Sequence, residues 1–173
     1  MPNISKMPEP ARTETNTRAL PLLMIAPACS ILLVAVIYLW LSPLIPSRIA
    51  IHVDPDGVGY GSSLLMIAGA CVIAAAAFVI GAATTREFSK AGHWFQIQKS
   101  IAVGIMALGY GAIGVALATI ITTVGVDPEP VPGNSVGIGL FGFLLLFTTA
   151  ACVYAAVFPR AKFESLDTTY PYN

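Results

Sequence analysis

The chain has 173 residues, 56% of them hydrophobic and 10% charged, with no net charge and a mean hydropathy of +0.78. Soluble domains carry about 25% charged residues, so this composition excludes an ordinary water-facing globule, and the charge balance gives no reason to expect nucleic acid as a partner. The length suits one membrane domain with short tails and leaves no room for a separate soluble catalytic domain.

In chain order, residues 1–18 are rich in Pro, Thr and Glu and read as a disordered cytoplasmic tail unless a partner holds them. Four apolar runs follow, at about 19–41, 63–84, 97–124 and 136–158, each meeting the roughly 20 residues a spanning helix needs. They contain no Asp or Glu, and Lys99 is their one basic residue. Lipid offers backbone groups no hydrogen-bond partner, so such runs should be helical. The expected fold class is all-α, a bundle of four transmembrane helices over 19–158. Residues 159–173 form a second cytoplasmic tail. The first run has Pro21 and Pro27 in its opening turns and Tyr38 and Trp40 at its far end. Lacking a small-residue cleavage site, it reads as a retained span rather than a signal peptide.

Orientation follows from basic residues in the short flanks. Lys6, Arg12, Arg18, Arg86, Lys90, Lys99, Arg160 and Lys162 all fall on one side of the alternation, and Arg48 stands alone on the other. Both termini are therefore expected in the cytoplasm, with 42–62 and 125–135 outside. Trp40, Tyr60, Trp94, Phe95 and Phe158 suit the interfacial belts.

Helices in lipid associate through close backbone approach. The third run carries Gly104, Ala107, Gly111, Gly114, Ala118 and Thr122, spaced to share one helical face. The second carries Ala70, Ala74, Ala77 and Gly81. These rows should meet each other, or one should meet a second subunit. The segment HWFQIQK at 93–99 reads as the cytoplasmic start of the third span, with His93 interfacial and Lys99 snorkelling towards water. VDPEPVPGN at 126–134 reads as a short, stiff connection. Cys29, Cys71 and Cys152 all lie in apolar runs without CxxC spacing and read as small buried hydrophobes, not as a disulfide framework or a zinc site.

The polar break at 44–63, LIPSRIAIHVDPDGVGYGSS, is the most informative stretch. Pro43 and Pro46 stop the first helix, and 48–53 alternates polar and apolar as a short extended segment on the membrane surface would. Asp54, Pro55, Asp56 and Gly57 carry a type I turn signal. Gly59, Tyr60, Gly61 and Ser62 lead the chain back, with Ser62 or Ser63 available to cap the next helix. His52, Asp54 and Asp56, with Asp127 and Glu129 on the same side, are chemically able to meet a divalent cation. The turn explains both loop aspartates without one, and no metal or cofactor is expected.

The spacing of Pro46, Ile49 and His52 after an apolar helix, followed by a turn ending in Gly57, resembles the family called domain of unknown function 1648. The resemblance covers about residues 25–80. It implies a bacterial multi-span membrane protein, distantly similar to the N-terminal part of Sdp-type immunity proteins. Its usual turn is longer and closes on a Lys, where this chain has Ser62 and Ser63. Within this external loop, Pro46, Arg48, His52, Asp54, Asp56 and Gly57 are the candidate contacts for a ligand or partner.

Intramembrane enzymes and transporters usually place ionisable groups inside the bilayer. The runs offer no paired carboxylate, His pair, Ser-His or Cys-His arrangement, or phosphate-binding loop. The first expectation is a non-enzymatic accessory subunit of a larger bacterial membrane complex, a respiratory-chain complex being one host. Its partners would be the lipid bilayer and other membrane proteins, in a hetero-complex or a homo-oligomer, with no nucleic acid. The second is an immunity or sensory receptor binding an external peptide or ion at 44–63. The third is a small carrier acting as an oligomer.

Overall fold

The computed structural model describes residues 21–126 and 134–162. The tail at 1–18, residues 19 and 20 of the first run, Asp127 and Glu129 with the rest of 127–133, and residues 163–173 lie outside the described residues. The apolar runs form helices α1 (Ala26–Leu41), α2 (Ser63–Lys90), α3 (Gln96–Thr123) and α4 (Asn134–Val157). With their flanking turns, all four are long and apolar enough to cross a membrane. The all-α expectation did not contain the hairpin formed by β1 (Arg48–Asp54) and β2 (Gly57–Ser62) between α1 and α2.

Local chemistry sets the helix ends. Pro27 has no N–H to offer the Leu23 carbonyl, and the chain before it winds as a wider π turn, Pro21–Ile25. Ser62 caps α2, its hydroxyl accepting from the Leu65 N–H at 3.4 Å. At its other end α2 continues past the expected stop at 84, because Arg86, Glu87 and Lys90 favour helix and Lys90 pairs with Glu87 at 3.3 Å. It closes when Gly92 adopts a φ of +69°. There the Gly92 N–H donates to Ser89 (3.3 Å) and the His93 N–H to Phe88 (3.1 Å), the paired bonds of a glycine-terminated helix. At 28 residues each, α2 and α3 are about 42 Å long, longer than the roughly 30 Å hydrocarbon layer.

α3 is the central helix. Half of its apolar window is buried in the bundle, against 33% for α2 and 11% for α1 and α4. The small-residue row of α2 does face α3, and Ala70, Ala74, Ala77 and Gly81 are all buried. A Cβ on Gly81 would meet the side chains of Met106 and Ile105. On α3, Gly111 and Gly114 of the row are turned to α4, so at these positions the rows do not meet each other, contrary to the first of the two outcomes expected. Gly111 receives the Phe143 ring, and Gly114 touches the Gly142 carbonyl of α4. A Cβ on Gly142 would stand 2.6 Å from the Gly114 carbonyl oxygen and 2.7 Å from the Ala118 Cβ. Large side chains fill notches from both helices of the α2–α3 interface, Phe78 of α2 lying over Gly109 and Met106 of α3 over Gly81. A small row thus pairs with a knob as readily as with another small row. Ala107 is buried, whereas Gly104 borders open space.

An aromatic chain runs obliquely through α2, α3 and α4. Phe78 meets Tyr110 edge-on at 4.9 Å, Tyr110 lies 6.1 Å from Tyr154, Tyr154 is 5.2 Å from Phe158, and Phe158 is 5.8 Å from Trp94. Tyr154, packed between Tyr110 and Phe158, is buried in the bundle at 2% exposure. Where the chain of rings ends, the α2–α3 connection and the segment after α4 are clasped together. The Trp94 indole N–H donates to the Pro159 carbonyl at 3.0 Å, and the Lys162 N–H donates to the Trp94 carbonyl at 2.8 Å. Lys99 donates to the Phe158 carbonyl at 3.3 Å. Its ammonium is therefore engaged at the C-terminus of α4, where a cation complements the helix dipole, rather than extended into water as expected. Trp94 and Phe158 are buried at 7% and 3% exposure, so they are core residues of this clasp and not members of a lipid-facing belt. Trp40, at 79% exposure, and Tyr60 keep the exposed positions expected of them.

The contact between Gly114 and Gly142 gives a direct test. Gly114→Ala drives a methyl into backbone that cannot yield and should cost about 1–3 kcal/mol. Gly104→Ala enters open space and should be neutral or gain up to about 1 kcal/mol. Unfolding of the two variants in matched detergent micelles checks the order. Equal stability of the two variants would contradict this packing.

Candidate functional site

The six residues singled out at 44–63 are distributed along the hairpin. β1 and β2 pair antiparallel, with Arg48 opposite Ser62, Ala50 opposite Tyr60, His52 opposite Gly59, Val53 opposite Val58 and Asp54 opposite Gly57. Pro55 and Asp56 make the turn, and Gly57 has a φ of +146°, open to glycine alone. Pro46 precedes β1 and is half-buried; Arg48 is exposed at the base, and Asp56 is exposed at the tip. At about 3.3 Å per residue, a strand of this length keeps Arg48 roughly 20 Å from the turn. The structure therefore does not gather the six into one constellation. Among the described residues, no group of three or more His, Cys, Asp or Glu side chains could hold a metal ion. Asp127 and Glu129 are outside those residues.

Two features of the hairpin escaped sequence reasoning. The register slips between Ala50 and His52, leaving Ile51 as an extra residue on β1, a bulge of the kind that re-aims side chains. The His52 imidazole lies across Gly59, where a Cβ would collide with the ring, and the Ile51 side chain lies over Gly61, 3.0 Å from the position of a Cβ. Glycine is a poor strand former, so GVGYG reads as a loop. The signal that could have revealed it is the strict alternation of Gly57, Gly59 and Gly61, each facing a turn or a cross-strand side chain.

The hairpin is seated on the helices. Ile49 is 1% exposed. The Ser63 N–H and hydroxyl both donate to the Ser47 carbonyl, at 3.1 and 3.4 Å. Nearby the Gly125 N–H donates to the Leu44 carbonyl at 2.9 Å, joining the ends of α1 and α3. Beneath β1 lies a cleft of about 360 Å³ between the hairpin and the adjoining ends of α2, α3 and α4, lined by residues that include Ile49, Ile51, Thr119, Gly139, Leu140 and Phe143. Thr122 and Thr123, also in its wall, turn their hydroxyls back on their own helix, to Ala118 at 2.9 Å and Thr119 at 2.7 Å. Such bonds satisfy a hydroxyl where water is absent. A smaller cleft of about 260 Å³ lies beside Tyr110 and Tyr154.

The fold and these contacts define a multi-pass membrane protein with a structured hairpin at one end of the bundle and a clasp at the other. Compared with family models, curated proteins and solved structures, the chain gives no match.

Gly59→Val should displace the His52 ring and unpair the middle of the hairpin, while Val58→Ile should leave it paired. Proteolysis of purified protein in micelles, read by mass spectrometry, should show cleavage within 52–60 for the first variant and not for the second. Equal protection in both would contradict the placement of His52 over Gly59.

Proposed function

We propose that the chain is a non-enzymatic accessory subunit of a larger bacterial plasma-membrane complex, with both termini in the cytoplasm and the hairpin outside as its contact surface. The observation that carries this reading is a hairpin, seated on the helices, that displays apolar side chains. Val53 is 52% exposed and Tyr60 43%, although the strand bearing Val53 is anchored through buried Ile49. A polar-rimmed apolar surface held outside the helices fits a protein contact. The segregation of charge supports the orientation. Arg86, Lys90, Lys99, Arg160 and Lys162 belong to the clasp end, and Arg48 to the hairpin end.

Affinity purification of the full chain in mild detergent tests the reading. Stoichiometric membrane-protein partners are expected with the wild type and should be lost by about tenfold, equivalent to roughly 1.4 kcal/mol, in Val53→Ser combined with Tyr60→Ser. Unchanged partners in that variant, or none with the wild type, would defeat it. The orientation is checked separately with single cysteines in a chain otherwise lacking them. Asp56→Cys should react with an impermeant thiol reagent applied to intact cells, and Lys90→Cys should not; the reverse would invert the topology.

A second reading, an immunity or sensory receptor, draws on the resemblance to domain of unknown function 1648. One observation favours it: His52, part of the resembling motif, is exposed on the hairpin and held by a shape-matched glycine. On that reading His52→Ala abolishes protection from an external toxin or peptide without changing which proteins co-purify.

A further inference from the structure

We propose that the cleft beneath β1 is a binding site for one hydrocarbon chain of a membrane lipid, drawn from the leaflet on the hairpin side. Its volume, about 360 Å³, falls in the lower range of small-molecule sites. An independent feature of the backbone reports the same space. Gly139 is buried, yet apart from its chain neighbours and the backbone of its own helix no heavy atom lies within 4 Å of where its Cβ would be. The other buried helical glycines among the described residues, Gly81, Gly109, Gly111 and Gly114, each face a neighbouring side chain or carbonyl at that position. Gly139 therefore borders room that the protein itself leaves unfilled.

The chemistry of the walls selects the occupant. Ile49, Ile51, Val136, Leu140 and Phe143 are apolar, and the hydroxyls of Thr122 and Thr123 are already bonded to their own helix. Water needs two to four polar partners to settle in a cavity, and this wall supplies few. An empty gap forfeits the dispersion contacts that its lining would otherwise make. The cleft is also continuous with the lipid-facing surface. Leu140 belongs to its wall and is 62% exposed, and the next residue, Phe141, is 64% exposed. Hydrocarbon at that face can enter sideways from the bilayer. The bulged strand forms the roof, with Ile49 fixed at its inner edge and Ile51 at the outer one. That roof distinguishes a seated chain from one merely lying along the helices.

The test uses the full chain in nanodiscs of phosphatidylethanolamine and phosphatidylglycerol, doped with a phosphatidylcholine bearing a photoactivated diazirine on one acyl chain. Adducts are mapped by mass spectrometry after brief irradiation. The α1 segment Leu39–Leu41 is the control, since it ends on the hairpin side and Leu39 and Trp40 are 69% and 79% exposed. Labelling of residues 49–51 and 136–140 is expected to exceed that of the control by about fivefold or more. Gly139→Leu, whose Cβ enters open space, should fill the cleft against its apolar walls and return labelling to the level of the control. Gly137→Leu, on an exposed position of the same helix with equally open space, should preserve the enrichment. Circular dichroism and thermal unfolding of both variants establish that each is folded. Equal labelling of cleft and α1, or enrichment that survives Gly139→Leu in a folded variant, would overturn the proposal. So would a native-membrane crosslink placing a protein segment in the cleft. Loss of partners in the hairpin variant above is independent of these outcomes.

Discussion

Backbone contact between α3 and α4 at Gly114 and Gly142 sets how near the last two helices stand, and much else depends on that distance. In hydrocarbon, two helices gain little from hiding apolar side chains, because lipid tails solvate those side chains equally well. What remains is dispersion between closely fitted surfaces, and removing both β-carbons allows the closest fit. With the helices pinned there, Phe143 reaches the notch at Gly111, and the Tyr154 ring comes within 6.1 Å of Tyr110. The same pinning draws the end of α4 to Trp94. Towards the hairpin, beyond Gly142, the walls diverge around Gly139 and the cleft opens.

Polar groups in the bundle follow one economy. Thr85, Thr122, Thr123 and Thr149 all return their hydroxyls to a carbonyl of their own helix, at 2.7 to 2.9 Å, and Ser30 does so at 2.8 Å. None of these bonds holds two helices together. The polar contacts that do join elements are at the ends: Ser63 with Ser47, Gly125 with Leu44, and Trp94 and Lys99 with the segment after α4. The middle of the bundle is thus held mainly by shape, and the ends by directional bonds.

Much of this architecture was legible in the residues. The apolar runs marked the helices because length and the absence of charge are sufficient signals for a span. The rows at 70–81 and 104–118 marked buried faces for the same reason that glycine permits close approach. Their partners were not legible. A one-dimensional pattern does not say which neighbour a face meets, and α3 has two. Gly104 fits the row by spacing and still faces open space. The turn at 54–57 was readable from Asp, Pro and Gly, whereas β2 was hidden by its glycines, whose role appears only with the cross-strand side chains in place. Trp94 and Phe158 were assigned to the lipid boundary because aromatic residues near span ends usually sit there. Their burial depends on contacts between segments 65 residues apart, beyond the reach of local pattern. The six loop positions were correctly placed on one connection, but strand length divides base from tip.

The clasp has a consequence for how the molecule is made. Pro159 is synthesised 65 residues after Trp94, so the indole N–H has no protein acceptor there until the last helix has emerged and inserted. Before then Trp94, its carbonyl and the Lys99 ammonium must be served by water or lipid headgroups at the membrane surface. Closure exchanges those transient hosts for fixed ones. Burial of the Trp94 ring therefore marks completion of the bundle: a nascent chain with three helices inserted presents an exposed tryptophan at that surface, and a finished one does not.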